Sequence, residues 1–428
     1  MRVLVVGQGA REHALCWKLS QSPLVKEVFA APGNAGIAQV AACVPIGVAD
    51  IIELADFAEK LKVDLTVVGP ELPLTLGIVD EFQKRGLPVF GPTRLAAELE
   101  GSKVFSKEFM RKYGIPTADA VACNSVDEAK KAVKQMGFPC VLKVDGLAAG
   151  KGVVIVHSAS EAEEYVRSVF DDKKFGTAAT RILVEEFLVG EEVSFIVITD
   201  GTKTLPLPPA KDYKKAFDND EGPNTGGMGA HSPAVVLSGE AGAEIMRSII
   251  IPTVQGMESE GRPYTGVLYA GVMLTAKGPK VLEYNCRFGD PETQVQMLRL
   301  EDDLADVCLR VARGSLGDLK SLSFIKEAAA CIVVAVDGYP DDFSKGQEVF
   351  FDAIDDPSVV VFHAGVVKRD GRLVNQAGRV VSVCARAATL SEALGKAYEA
   401  APKVRFEGAR YRRDIGYRAL EARAVAER

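Results

Sequence analysis

Residues 2–12 read Arg-Val-Leu-Val-Val-Gly-Gln-Gly-Ala-Arg-Glu, a short apolar run that stops at Gly7-Gln8-Gly9. A helical pattern follows through Ala14, Leu15 and Leu19. The arrangement recurs downstream: Glu27 to Ala31 stops at Pro32-Gly33-Asn34, Leu65 to Val68 at Gly69-Pro70-Glu71, and Pro88 to Phe90 at Gly91-Pro92. Helical stretches near 51–62 and 75–85 lie between them. Short apolar strands alternating with helices and ending in Gly or Pro turns predict a parallel, doubly wound sheet. Ligand-holding loops of such sheets gather at the carboxyl ends of the strands.

Beyond residue 101 the pattern changes. A helix opened by Gly101-Ser102-Lys103 closes at Gly114-Ile115-Pro116, and a second at 125–136 carries Ser125 as N-cap with Glu128 three places on. Strands are expected at 139–144, 152–157 and 181–186, with a helix at 160–170 between the last two. A polar loop rich in Lys, Asp and Gly covers 211–230, and strands at 267–275 and 280–285 follow. The last stretch is strand-rich, at 329–337, 359–367 and 379–386, with an Asp370-Gly371 hairpin turn and a helix at 389–400. A chain of 428 residues exceeds one core and predicts about three domains of ~100–150 residues. We expect an N-terminal α/β unit over 1–103, a central unit over 104–315 with a smaller subdomain at about 120–190, and a small β-rich α+β unit over 316–428.

A net charge of −7 supplies no general attraction for nucleic acid or an anionic membrane, so a phosphate site must be a local cluster. The eight cysteines are scattered without a CxxC, which gives neither a zinc site nor a redox dithiol its usual spacing. The chain runs straight into a strand, and no apolar run approaches the ~20 residues that span a bilayer. These features predict a cytoplasmic protein with reduced thiols, acting on small molecules without nucleic-acid or membrane partners, as a monomer or weak homodimer.

Several motifs carry chemistry. Gly7-Gln8-Gly9-Ala10-Arg11-Glu12 departs from a dinucleotide fingerprint, because Glu12 stands where a third glycine belongs and the second strand ends in no acidic residue. It reads either as an anion site at a helix N-terminus or as a plain tight turn. In Leu142-Lys143-Val144-Asp145-Gly146-Leu147-Ala148-Ala149-Gly150-Lys151-Gly152, small residues let backbone approach phosphate oxygens between two lysines. It is not a Walker A loop, since Gly152 replaces the hydroxyl residue. Lys143 inside an apolar strand needs an anionic partner, either an ion pair or a phosphate. Glu185-Glu186-Phe187-Leu188, followed by Glu191-Glu192, offers carboxylates and free amides suited to adenine and ribose. Lys211-Asp212-Tyr213-Lys214 and Asn224-Thr225-Gly226-Gly227-Met228-Gly229 combine cations with glycine hinges, as a mobile lid with little apolar anchoring would. Glu283 and Asn285 share a strand face and both present oxygen, which suits Mg²⁺ bridging phosphates. Arg287 and Asp290 follow close by; one suits a carboxylate and the other an ammonium. His13, His157, His231 and His363 read as structural or surface residues.

The order of these motifs resembles the ATP-grasp superfamily. The strings GQGAREHAL (7–15), PGNAG (32–36), VGPELPL (68–74), GLAAGKGV (146–153), EEFLVGEE (185–192), GPNTGGMGAHSP (222–233), EYNCRFGDPETQ (283–294) and RYRRDIG (410–416) resemble the phosphoribosylamine–glycine ligase family within it. The resemblance runs over essentially the whole chain and implies a central ATP-grasp module of two subdomains. It implies ATP as co-substrate, held by Lys107, Lys143, Gly150, Lys151, Gly152, Glu185, Glu186, Phe187, Leu188 and Glu192. It implies Mg²⁺ or Mn²⁺ on Glu283 and Asn285, and catalytic roles for Lys214, Arg287 and Asp290. Gly9, Asn34 and Gly36 would face the phosphoribosyl group, and Asp212, Asn224, Thr225, Gly226 and Gly227 would line the substrate side. The chain departs from the family at Gln8 and Ala10 in the first turn, at Tyr213 and at Ala377. Gly271 stands where other ATP-grasp enzymes often carry an acidic metal ligand.

The implied activity joins glycine to 5-phosphoribosylamine through glycyl phosphate, with ADP and phosphate released, in purine biosynthesis. Such chemistry needs charge neutralisation and alignment more than a covalent nucleophile, and it must exclude water. Two other readings stand beside it. One is a different ATP-grasp enzyme, a carboxylate–amine ligase or a carboxylase-type relative; the other is a nucleotide-sensing module without turnover.

Overall fold

The structure is a computed structural model that describes residues 1–147, 152–173, 180–234, 237 and 239–426. The first five strands are β1 (Arg2–Gly7), β2 (Glu27–Pro32), β3 (Ala42–Cys43), β4 (Leu65–Val68) and β5 (Val89–Phe90). They form one parallel sheet in the order β3-β2-β1-β4-β5, with Val3 opposite Val28 on one side and Leu65 on the other. Val3 to Val6 are fully buried because helices cover both faces. The strand order reverses at β1, so Gly7-Gln8-Gly9 sits at the switch point where such sheets open a crevice. The helix expected at 75–85 is two pieces, Glu71–Leu76 and Ile78–Lys84, broken where Gly77 takes a φ of +93°.

The next strands are β6 (Ala120–Cys123), β7 (Cys140–Val144), β8 (Val153–Val156) and β9 (Ile182–Glu186), an antiparallel sheet in the order β6-β9-β7-β8. Helices Val126–Met136 and Ala159–Phe170 cover it with a separate small core. Ser125 caps the first helix, its Oγ accepting from the Glu128 amide at 3.2 Å. The Glu128 carboxylate reaches one residue further back than a capping box would, to the Asn124 amide.

Strands β10 (Glu191–Thr199), β11 (Thr204–Pro206), β12 (Lys211–Asp212), β13 (Lys215–Phe217), β14 (Glu221–Asn224), β15 (Gly229–Ser232), β16 (Gly266–Thr275) and β17 (Gly278–Asn285) follow. The sheet β11-β10-β16-β17 touches the preceding unit at β17, where the Leu282 carbonyl accepts from Lys143 of β7. The remaining strands are β18 (Ala328–Val336), β19 (Phe350–Phe351), β20 (Val359–His363), β21 (Val366–Arg369), β22 (Arg372–Asn375), β23 (Arg379–Ala387), β24 (Val404–Arg405) and β25 (Ala409–Arg410). Asp370 and Gly371 both take positive φ in the β21–β22 turn, as a two-residue hairpin requires.

The segment expected as a loosely anchored lid is instead built into this last unit. β12 and β15 complete the sheet β12-β15-β18-β23-β20, and Tyr213, Ala216, Met228 and Ala230 are buried. Scattered apolar residues within a polar run hold it down, which corrects the expectation of little anchoring. No helix among the described residues is long and apolar enough to cross a membrane.

The N-terminal helix Ala10–Leu19 packs against β20 through two histidines. His13 Nδ1 accepts from the His363 amide at 2.8 Å, and the His363 ring stacks on Phe351 at 4.6 Å between centroids. Burial, with His363 nearby, lowers the His13 pKa to about 3, and burial lowers that of His363 to about 4. Both are therefore neutral in the fold but protonate near pH 6.5 once unfolded. The unfolded chain binds more protons in this window, so stability must rise with pH between about 4 and 6.5. Melting temperature measured from pH 7.5 to 5 should fall. Each ring contributes up to about 1.4 kcal/mol per pH unit, and His13→Gln should flatten the slope whatever it does to the intercept.

Candidate active site

One end of the cleft is a buried triad. Lys143 from β7 and Lys107 from helix Lys103–Lys112 meet Glu185 from β9, with Nζ to Oε2 distances of 2.9 and 3.4 Å. All three side chains are buried. Lys143 also donates to the Leu282 carbonyl at 2.9 Å, and Lys107 to Thr117 Oγ1 at 2.7 Å. Burial lowers the Lys107 pKa to about 8, Lys143 pushing the same way and Glu185 opposing. Two ammonium groups thus share one carboxylate, and burying such an excess without an anion is costly.

A second group lies beside it. Lys214 Nζ sits between Glu192 Oε1 at 2.6 Å and Glu283 Oε1 at 3.1 Å. Lys214, above all, with Lys143 and Lys103 adding, overcomes burial and lowers the Glu283 pKa to about 2. That carboxylate stays ionised at any working pH. Asn285 follows on the same strand, its Oδ1 accepting from Arg287 Nη2 at 3.0 Å. Lys103, which no motif flagged, donates to the Gly146 carbonyl at 2.7 Å and faces Glu283 and Lys143.

The far end of the cleft meets the N-terminal crevice. A Cβ added at Gly9 would lie 3.5 Å from Asp290 Oδ2, so the first turn and Asp290 face each other. Asp290 accepts from Gln294 Nε2 at 2.8 Å and pairs with Arg379 Nη2 at 3.3 Å. Burial would raise its pKa, but Arg379 and Arg11 reverse this and hold it below the usual carboxylate range. Asp212 Oδ1 is buried without a hydrogen-bond partner, beside Gly227 and Pro291. Burial and then Glu292 push its carboxyl well up. Thr225 Oγ1 donates to the Lys214 carbonyl at 2.9 Å and accepts from the Gly227 amide at 3.0 Å, which ties the glycine turn to the lysine.

Three comparisons bear on this geometry. Residues 1–100, 101–293 and 329–418 match, in that order, the N domain, the ATP-grasp (A) domain and the C domain of phosphoribosylglycinamide synthetase. The chain belongs to the phosphoribosylglycinamide synthetase family. It is 47% identical over 424 residues to the phosphoribosylamine–glycine ligase of Vibrio vulnificus (strain CMCP6), covering 98% of this chain and 99% of that one. The Escherichia coli O6:H1 ligase of the same name is 49% identical over 426 residues, covering 98% of this chain and 99% of that protein. Among solved structures, the phosphoribosylamine–glycine ligase of Thermotoga maritima superposes with a TM-score of 0.85 at 35% identity, covering 97% of this chain and 100% of that one. The biotin carboxylase domain of Hydrogenobacter thermophilus 2-oxoglutarate carboxylase, solved with MgADP, shares the fold at a TM-score of 0.74 and 16% identity. That match covers 96% of this chain and 91% of that one.

Within this phosphoribosylglycinamide synthetase fold, several expected site residues are occupied by protein. Asn34 donates from Nδ2 to the carbonyls of Gln8 at 2.8 Å and His363 at 2.7 Å, while its Oδ1 accepts from the Gly36 and Ile37 amides at 2.9 Å each. Its amide is spent on the seam between the N-terminal and C-terminal units. A Cβ at Gly36 would come within 2.5 Å of His13 and His363, so close packing accounts for this glycine. Glu185 Oε2 is given to the two lysines, whereas its Oε1 is buried without a hydrogen-bond partner. Glu186 pairs with Lys280 at 3.1 Å, Leu188 is buried and Phe187 half-buried. The Gly152 carbonyl accepts from the Val144 amide at 2.8 Å; Gly150 and Lys151 lie outside the described residues. Arg287, expected to offer an open fork, is held by Glu100 at 3.1 Å and lies 3.4 Å from Glu71. Glu71, Glu100, Lys103 and Arg379, which complete these contacts, carry no local sequence signal because their partners are far away in sequence.

Proposed function

We propose that this cleft joins glycine to 5-phosphoribosylamine with ATP, through glycyl phosphate, releasing ADP and phosphate. Membership of the family makes the chain an ATP-dependent ligase of purine biosynthesis. The observation that carries the residue-level reading is the Lys107–Glu185–Lys143 triad, a buried excess of positive charge that a polyphosphate would balance. Lys214, held between Glu192 and Glu283, stands where a transferring phosphoryl group would gain a third cation. Asp290, kept ionised by Arg379 and Arg11 and facing Gly9, suits the ammonium of glycine.

The donor set fits a divalent ion of the Mg²⁺ type. Glu283 is held as a carboxylate beside Asn285 on β17, one hard anionic ligand with phosphate oxygens left to complete the sphere. When bound, such an ion neutralises phosphate charge and orients the transferred group. The chain itself binds and aligns the substrates, and the anchored 211–232 segment shields the acyl phosphate from water.

ADP release tests this. It should be fast with ATP, Mg²⁺, glycine and phosphoribosylamine together, absent without an amino acid, and about tenfold to a hundredfold slower with alanine, whose extra methyl must be accommodated. ATP turnover that ignored glycine and followed bicarbonate instead would remove the named substrate pair and leave the ATP site standing.

A further inference from the structure

We infer that Arg379, at the start of β23 in the C-terminal unit, is a positioning residue that clasps the Gly226–Gly227 turn to Asp290 and so sets the glycine site. The inference rests on the proposed role of Asp290 at the glycine ammonium, beside a turn that the family resemblance puts on the substrate side.

The geometry is specific. Arg379 Nη1 donates to the Gly226 carbonyl at 2.7 Å, the Asp290 carbonyl at 3.1 Å and the Gly227 carbonyl at 3.3 Å, while Nη2 pairs with Asp290 Oδ2 at 3.3 Å. One guanidinium therefore holds two separate site segments, more than 60 residues apart in sequence, from a third element. Gly226 is gripped from both sides of its peptide, since its amide donates to the Tyr339 hydroxyl at 3.0 Å. A Cβ on Gly226 would stand 3.1 Å from the Arg379 guanidinium carbon, so the turn lies directly on that group. Gly227, at φ +110°, is pressed against Asp212 and Pro291 on its other side.

A lysine cannot reproduce this. A single ammonium carries no planar fork to face a carboxylate and two carbonyls together. Without the clasp, Asp290 keeps Gln294 as a neighbour, but its orientation and the turn above it are freed. Phosphate contacts at Lys107 and Lys143 belong to other elements and should not change.

The test uses the full chain with Arg379→Met, Arg379→Lys and Tyr339→Phe. Steady-state ADP release should show the glycine KM raised about tenfold or more in Arg379→Met, with the ATP KM within about threefold of the parent. Free guanidinium at millimolar concentration should recover part of the loss in Arg379→Met, whereas Arg379→Lys should stay impaired. Hydrogen exchange at the Gly227 and Met228 amides should quicken in both Arg379 variants, whereas Tyr339→Phe should quicken chiefly the Gly226 amide, whose acceptor it removes. Glycine and ATP parameters falling in parallel without guanidinium rescue, or exchange at the turn unchanged, would overturn the clasp. Should the parent protein show no glycine dependence, the substrate reading fails instead, and the exchange measurement still decides the clasp.

Discussion

Lys143→Met is expected to lower kcat/KM for ATP by at least about 100-fold while the fold survives, because removing one charge-assisted donor from a dry phosphate site costs roughly 3–4 kcal/mol. The structure explains why stability should hold. Glu185 keeps Lys107 at 3.4 Å, and the lost lysine is also a like charge that depresses the Lys107 pKa. Losing attraction to Glu185 and repulsion from Lys107 together offset one another. Methionine keeps the unbranched chain that lies in an apolar strand between Leu142 and Val144. Single-turnover ADP formation and a thermal melt on the same sample separate the two roles. Near-native turnover with a large drop in melting temperature would make Lys143 a structural ion-pair residue. The opposite pattern would leave it the phosphate ligand that a surplus buried cation implies.

Legibility followed locality. The N-terminal sheet was readable because strands buried on both faces are continuous apolar runs, as at Val3 to Val6, and because each ends in a Gly or Pro turn. The Asp370-Gly371 hairpin and the Ser125 cap were readable for the same reason, since the whole signal lies within four residues. Residues 211–230 carry no such local signal of their anchoring. Their apolar members, Tyr213, Ala216, Met228 and Ala230, follow no single period, and the sheet partner that buries β15 is β18, about a hundred positions later. Site residues divide the same way. Glu283 and Asn285 announced themselves by period-2 spacing, and the structure sets them on one strand. Asn34 is assigned to the phosphoribosyl group by the resemblance alone, and the carbonyls of His363 and Ala364 that its side-chain amide meets come from the C-terminal unit, far away in sequence. Arg379 and Tyr339 lie in unremarkable sequence, and nothing short of the folded chain brings them to Gly226.

Arg287→Met is expected to destabilise the protein by about 3–5 kcal/mol, since breaking a buried ion pair from one side leaves the other charge uncompensated. Sequence pattern suggested a fork open to the glycine carboxylate; the structure commits that fork to protein. Arg287 Nη2 lies 3.1 Å from Glu100 and 3.0 Å from Asn285 Oδ1, Nε lies 3.4 Å from Glu71, and Nη1 donates to the Phe288 carbonyl at 3.3 Å. Glu100 also accepts from the Cys286 amide at 2.7 Å, so it cannot swing out to water. Burial already raises the Glu100 pKa, with Arg287 opposing and Glu71 assisting. Without Arg287 it must rise further. A carboxyl whose folded pKa lies above its unfolded value loses stability as pH rises through the folded pKa. Arg287→Met should therefore lose more melting temperature relative to the parent at pH 8 than at pH 5. Adding Glu100→Gln removes the stranded charge, and should restore most of the stability and abolish that pH dependence. Additive losses in the double variant would show that the pair is not coupled. Activity then separates two roles that the static geometry combines. If Arg287→Met/Glu100→Gln melts like the parent yet turns over at least about 100-fold more slowly, the guanidinium acts on substrate or on Asn285 beyond its structural tie. If turnover returns with stability, Arg287 serves by holding Glu100 and the end of β17 in place.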